Sequence, residues 1–285
     1  MVTHNPFRRS TLLIRIALLA STAFLTACAA TAPEAMPAPP VVAEAPAVAP
    51  APVDQAAALK KFFEDYDKAE LALSPISKAY RGIKDQDYGK LDPYTDAAAI
   101  VGRELDQRTA DEMVARFNRT TLSADDQLSY DLLLYRNQRS ASIFPYHRYA
   151  YVFDQMNGAQ SDIPAFLINI HKVDTEQDAR DYISRIRAAG TYIDQAVAEA
   201  QEREKLGVLP PKWVFPQVIE QSKNLISGAP FTTGADNDVF ADFKAKVGNL
   251  NIPQETKTAL MAEAHDALIE SMGPTCPTSL CSERL

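Results

Sequence analysis

The sequence predicts a mostly α-helical protein: an irregular multi-helix array with one minor extended element near residues 142–153. Three observations carry this expectation. Between Asp54 and Met272, apolar residues recur every three or four positions instead of alternating. Capping residues and Gly or Pro stops punctuate the chain at helical intervals. The 285 residues contain 3 cysteines, too few for a disulfide framework. No internal repeat of fixed period is visible.

The amino terminus reads as an export signal. Arg8, Arg9 and Arg15 precede the apolar run "IALLASTAFL", and "LTAC" sets Cys28 behind small residues. A membrane span needs about 20 apolar residues, so a run this short is a signal-peptide core. The "LTAC" stretch resembles a bacterial lipoprotein box, which implies cleavage before Cys28 and lipidation of its sulfur. A conventional signal peptide with an incidental cysteine is the alternative. Residues 28–53 then form a Pro/Ala-rich tether that cannot build a core. Such chain favours a semi-rigid spacer of about 3.1 Å per residue. A membrane partner is therefore expected through the Cys28 lipid, on the periplasmic side of the cell envelope at the outer membrane.

The helical domain is placed at residues 54–272. A first helix starts at Asp54, with Leu59, Phe62, Phe63 and Tyr66 on one face, and Ser74-Pro75 ends it. The following "ISKAYRGIKDQDYGKLDPYT" reads as a long connection. Two helices are expected over 96–108 and 110–118. Another begins behind Ser123, a good N-cap with Asp125 and Asp126 in the first turn, and Leu128, Leu132 and Tyr135 form its expected buried stripe. "SIFPYHRYAYVFDQM" crowds aromatics around Pro145 without helical period and reads as extended chain. A helix over 163–171 follows, with Pro164 in its first turn.

The longest helix spans about 175–205, stopped by Gly207. Its apolar face includes Ala179, Tyr182, Ile183, Ile186, Ile193, Ala196, Val197 and Ala200. Pro210 and Pro211 make a rigid connection to a helix with Pro216 near its start. Two more helices are expected over 236–247 and 253–272, the last cut off by Gly273-Pro274.

Charge and motif content narrow the chemistry. Removing residues 1–27 takes three arginines and no acid, so the formal charge moves from −8 to −11. Without a basic stripe to neutralise phosphates, nucleic acid is not an expected partner. No Gly-x-Ser-x-Gly elbow, Ser-x-x-Lys or phosphate-binding glycine loop occurs. Beyond the signal, His147, His171 and His265 lie in separate segments without metal-ligand spacing, and each reads as structural or solvent-facing. Cys276 and Cys281 read as accidental. No catalytic or metal-ligating residue is therefore assigned. The most suggestive stretch is "FDQMNGAQSD", where Asp154, Gln155, Asn157, Gln160 and Asp162 gather around Gly158 and could line a cleft. Its alternative is a turn plus a helix cap supplied by Ser161 or Asp162.

Four segments in order, "SPISKAYRGIKDQDYGKLDPY", "LSADDQLSYDLLL", "FDQMNGAQSDIPAFLINIHKVDTEQDARDYISRI" and "REKLGVLPPKWVFPQVIEQ", resemble the amino-terminal half of the bacterial DUF885 family of domains of unknown function. The resemblance implies a partial domain of a larger helical metallopeptidase-like fold, often periplasmic and lipid-anchored. It also implies zinc and a peptide substrate for the full-length protein, with the ion held by a His-Glu-x-x-Pro-Gly-His helix in the second half. No histidine here is followed by glutamate, so no ligand transfers and no cofactor is expected in this chain. A catalytic zinc needs about three protein ligands and an open water position. The family continues past Gly-Pro with further helix, whereas "TCPTSLCSERL" departs from it, so residues 273–285 are expected to be an out-of-frame tail. The expectation is a chain inactive alone; the rival is a non-catalytic helical binding or scaffold lipoprotein.

Overall fold

The computed structural model describes residues 54–273. The residues expected to form an export signal and a tether, Cys28 among them, and the tail with Cys276 and Cys281 lie outside the described residues.

Helix α1 (Gln55–Ala72) starts where the Asp54 carboxylate accepts from the Ala56 and Ala57 amides. It buries Leu59, Phe62 and Tyr66. Part of the stretch expected to be a connection is helical. Ser74 caps α2 (Pro75–Tyr80), proline fits its first turn, and Gly82 at φ 74° ends it. The two helices expected over 96–118 are one, α3 (Asp96–Arg116), capped by Thr95. No glycine or proline interrupts the chain at Arg108-Thr109-Ala110, and Thr109, Ala110 and Met113 are buried on a single face.

After a 3-10 turn (Arg119–Thr121), Ser123 caps α4 (Ala124–Ile143) as expected. Its buried residues, however, are Tyr130 and Leu133, while Leu128, Leu132 and Tyr135 are 59%, 57% and 63% exposed. The helical period was legible, but a second apolar stripe on the same helix makes the contact. Phe62, Phe117, Met113 and Leu133 join α1, α3 and α4 in one core cluster, with the Phe62 and Phe117 rings edge-to-face at 5.6 Å.

The segment near 142–153 is helical over most of its length, in place of the extended element expected there. The helix α4 runs to Ile143 and passes directly into a 3-10 helix, Phe144–Tyr149. Pro145 suits its first turn because the fixed φ is already helical. Among the described residues no strand offers a pairing edge; the sole ladder fragment is an isolated bridge between Ala229 and Asp236.

The helix expected over 163–171 begins earlier, as α5 (Ala159–Asn169), which puts Pro164 inside it. The 30-residue α6 (Glu176–Lys205) carries a capping box between Thr175 and Asp178. Gly207, at φ 76°, follows it. The remaining helices are α7 (Val214–Asn224), α8 (Asp238–Gly248) and α9 (Gln254–Ala267), which widens into a π-helical turn at Leu268–Met272. Helices α5, α8, α9 and the π turn all pack on α6. Leu167, Tyr182, Ile183, Ile186, Phe243, Leu260 and Leu268 are fully buried in this main core. Each such side chain contributes roughly 1.5–3 kcal/mol by leaving water.

The connection between α2 and α3 is laid along α6. Lys84 reaches Asp178, the Lys90 carbonyl accepts from Arg185, the Tyr94 amide donates to Gln195 and the Asp96 amide to Glu199. Gly89 eases the close approach there: a Cβ would lie 2.7 Å from an Asp181 side-chain oxygen and 3.3 Å from its Cα. No helix among the described residues is long and apolar enough to cross a membrane.

Candidate functional site

The loop from Val152 to Gly158 feeds the start of α5. Asp154 Oδ1 accepts from the Met156 and Asn157 amides at 2.6 and 2.7 Å, which folds the loop into an Asx-type turn. The Ala159 amide closes it on the Val152 carbonyl. Gly158 is the N-cap of α5 and gives no side-chain cap; neither Ser161 nor Asp162 caps the helix. Glycine is needed here for space, since a Cβ would come within 2.1 Å of Gln160 Oε1 and 2.4 Å of the Asp154 nitrogen.

A chain of amides fastens this loop to α7. Gln160 Nε2 donates to the Asp154 carbonyl and to Gln221 Oε1, and Gln221 Nε2 donates to the Gln155 carbonyl. Beside it lies a cavity of about 50 Å³ lined by residues including Phe153, Gln160, Ile163, Ala189, Ile193 and Ser222. Asp162 turns the other way and accepts from the Tyr192 hydroxyl at 2.8 Å. The protein around Asp162 raises its pKa through desolvation, with the Asp154 charge adding to the effect; the same burial raises the Tyr192 phenol.

Of the five residues suggested by the sequence, Gln160 alone borders the cavity. Asp154 holds the loop through Oδ1 and its carbonyl and Gln155 through its carbonyl, Asn157 is at the surface, and Asp162 belongs to the Tyr192 contact.

Sequence reading missed a buried polar centre nearer the amino-terminal end of α6. Arg185 is 0% exposed and donates to His171 Nδ1 at 2.6 Å and to the Lys90 carbonyl at 3.0 Å. Because arginine only donates, His171 Nδ1 is the acceptor, and Nε2 carries the hydrogen given to the Asp178 carbonyl. The imidazole is therefore neutral, and burial lowers its pKa to about 3. The guanidinium lies 4.8 and 4.7 Å from the Tyr88 and Phe166 ring centres; burial lowers its pKa to about 10. The available signal was register: position 185 lies on the face of Tyr182, Ile186 and Ala189.

These residues do not fit a catalytic zinc. His171 spends both nitrogens on Arg185 and the Asp178 carbonyl. His147 sits between the Phe144 carbonyl and Asp96, and His265 beside Asp266. Among the described residues no three His, Cys, Asp or Glu side chains gather into a ligand set.

The sequence pattern described as bacterial protein of unknown function (DUF885) matches residues 75–277, well over half of the chain. The chain belongs to the DUF885 family. A solved structure, the crystal structure of "the putative lipoprotein from Colwellia psychrerythraea", superposes with a TM-score of 0.66 at 16% identity. That superposition covers 79% of this chain and 40% of the other. The DUF885 chain thus spans about two-fifths of that structure's length, and the likeness is one of fold. No curated protein matches it.

Proposed function

We propose that this chain is a lipid-anchored protein on the periplasmic side of the cell envelope, held at the outer membrane through Cys28 and the 28–53 tether. Its helical array forms one wall of the substrate cleft of a zinc-dependent peptidase or hydrolase. The metal site and the general base belong to a part of the fold outside the described residues, and the array alone is inactive. The observation that carries this reading is the face of α4. Leu128, Leu132, Tyr135 and Ile143 fall on one side of the helix and are all more than half exposed, in a chain spanning 40% of a structure of the same fold. A row of large apolar residues open to water is what a part of a larger packed unit presents.

Two measurements on the purified chain test it: metal content and hydrolysis of a mixed peptide library. Bound zinc far below one per chain and no hydrolysis above background are expected. Stoichiometric zinc or turnover would sink the proposal. The rival, a non-catalytic binding or scaffold lipoprotein, is favoured by the sealed core around α6. A cooperative melt without binding of an apolar dye supports the rival, while dye binding in the native state supports the cleft wall.

A further inference from the structure

Two exposed segments meet at the carboxy-terminal end of α6. Arg203 joins them: its Nη1 donates to the Ala150 carbonyl at 2.8 Å, and its own carbonyl accepts from the Leu206 and Val208 amides. On one side of that joint stand Tyr146, Tyr149 and Tyr151; on the other, Leu206, Leu209 and Trp213, all 44–66% exposed. The Tyr146 and Tyr149 rings meet edge to face at 6.0 Å. The backbone holds these side chains outward. Phe144–Tyr149 is a 3-10 helix, and the turn closed by the Val214 amide on the Pro211 carbonyl buries Val214 and leaves Trp213 in water. Six large apolar side chains at one end of the molecule are the kind of patch that marks an interaction site. Its composition differs from that of the α4 stripe. Four of the six are Tyr or Trp, whose apolar rings with a polar tip favour a boundary between water and hydrocarbon over a dry protein core.

Charge points the same way. The basic residues of this end are Arg148, Arg203, Lys205 and Lys212, and the acids around them are Asp96, Glu199, Glu202 and Glu204. Four against four leaves the end neutral in a chain of formal charge −8, so here an anionic bilayer repels the molecule least. Reach is sufficient. Gln55, at the start of α1, meets Thr121 just before α4, and the aromatic end lies beyond the far end of that helix, 20 residues or about 30 Å away. Residues 28–53 span about 80 Å at about 3.1 Å per residue.

We propose that this end seats in the headgroup region of a phospholipid bilayer, with Trp213, Tyr146 and Tyr149 entering the apolar boundary and Lys212 beside the lipid phosphates. The seating relies on the Cys28 anchor proposed above for proximity alone; it needs neither zinc nor turnover.

Trp213 is the only tryptophan in the chain, so its fluorescence reads this patch directly. The chain as the cell makes it is weighed by mass spectrometry and reconstituted in vesicles of phosphatidylethanolamine and phosphatidylglycerol, with and without brominated acyl chains. A blue shift of the Trp213 emission and quenching by the brominated lipid are expected. Tyr146→Ser combined with Tyr149→Ser changes two exposed residues and keeps the reporter; it should move the seated-to-free ratio about tenfold toward free. Leu132→Gln, on the α4 stripe, should leave that ratio unchanged. A lipidated chain whose Trp213 keeps its water-exposed emission would overturn the seating and leave the anchor standing. A chain without lipid on Cys28 would overturn the anchor alone; vesicles are then added to it from outside, where a quenchable blue shift supports the seating and its absence overturns it. Blue-shifted emission that brominated lipid does not quench would mean that protein covers the patch, and it too would overturn the seating. So would an equal loss in Leu132→Gln, which would make the α4 stripe the membrane contact.

Discussion

His171 is a buried base whose proton is excluded by its surroundings. Arg185 and Lys246 disfavour a charge on it, the Asp178 carboxylate partly offsets them, and burial dominates. The folded pKa, about 3, lies below the unfolded value of 6.5, so between those limits the unfolded chain binds the extra proton. Stability linked to His171 is therefore complete above pH 6.5 and falls as pH drops toward 3. At about 1.4 kcal/mol per pH unit, roughly 3 kcal/mol should be lost between pH 6.5 and 4. Urea denaturation at the two pH values should show this loss, and His171→Asn should remove most of the difference. Carboxylates paired with lysine, such as Asp178 with Lys84, add their own loss nearer pH 4 and remain in that variant. Gly158 gives a second residue-scale expectation. Gly158→Ala forces a methyl into the Asp154 backbone, and a thermal melt should show destabilisation of about 1–3 kcal/mol, as for other overpacked sites.

Among the elements, α4 separates what is buried from what merely looks buriable. Leu132 and Leu133 are neighbours in sequence, yet the first is 57% exposed and the second 9%. Leu133→Ala should cost about 2–3 kcal/mol in chemical denaturation. Leu132→Gln should change stability by less than about 0.5 kcal/mol while lowering apolar dye binding. Equal costs would mean that the exposed stripe is covered in the native chain. The same helix shows how far sequence reading reaches. Ser123 announced where α4 begins, and periodicity announced that it is a helix, because both are local. Which stripe meets α1 and α3 is decided by partners far away in the chain, and Leu128, Leu132 and Tyr135 carry no local mark of exposure. The 144–149 segment misled for a related reason: aromatic crowding signals a strand only where another strand can pair with it. At the 154–162 loop, the cluster of polar residues was legible, but not that Gln221, 61 positions after Gln160, would hold Gln160 in place.

Across residues 54–273, apolar packing is divided. One cluster joins α1, α3 and α4; the larger one is gathered around α6. Polar anchors at the start of α3, from Gln195 and Glu199 to the Tyr94 and Asp96 amides, help tie the two together. Such partition predicts unequal opening energies. Hydrogen exchange should show the Met113 and Leu133 amides exchanging through a smaller opening than those of Ile183 and Phe243. A single common opening energy for all four would contradict the division.

The stretch from Lys84 to Asp96 behaves as a splint and not as slack. Residues 85–89 form turns, but between Lys90 and Asp96 the anchors on α6 advance from Arg185 to Glu199, about 20 Å of helix, so this part of the stretch must run nearly extended. Surface connections ordinarily absorb inserted or deleted residues at little cost. Here one residue added between Lys90 and Tyr94 would leave the later anchors misaligned by about 3 Å, the rise of two helical residues. A one-glycine insertion at that place should free the start of α3 from α6, read as lost protection of the Tyr94 and Asp96 amides. The same insertion between Leu209 and Pro210, beyond the Val208 amide that closes the end of α6 on the Arg203 carbonyl, should cost far less.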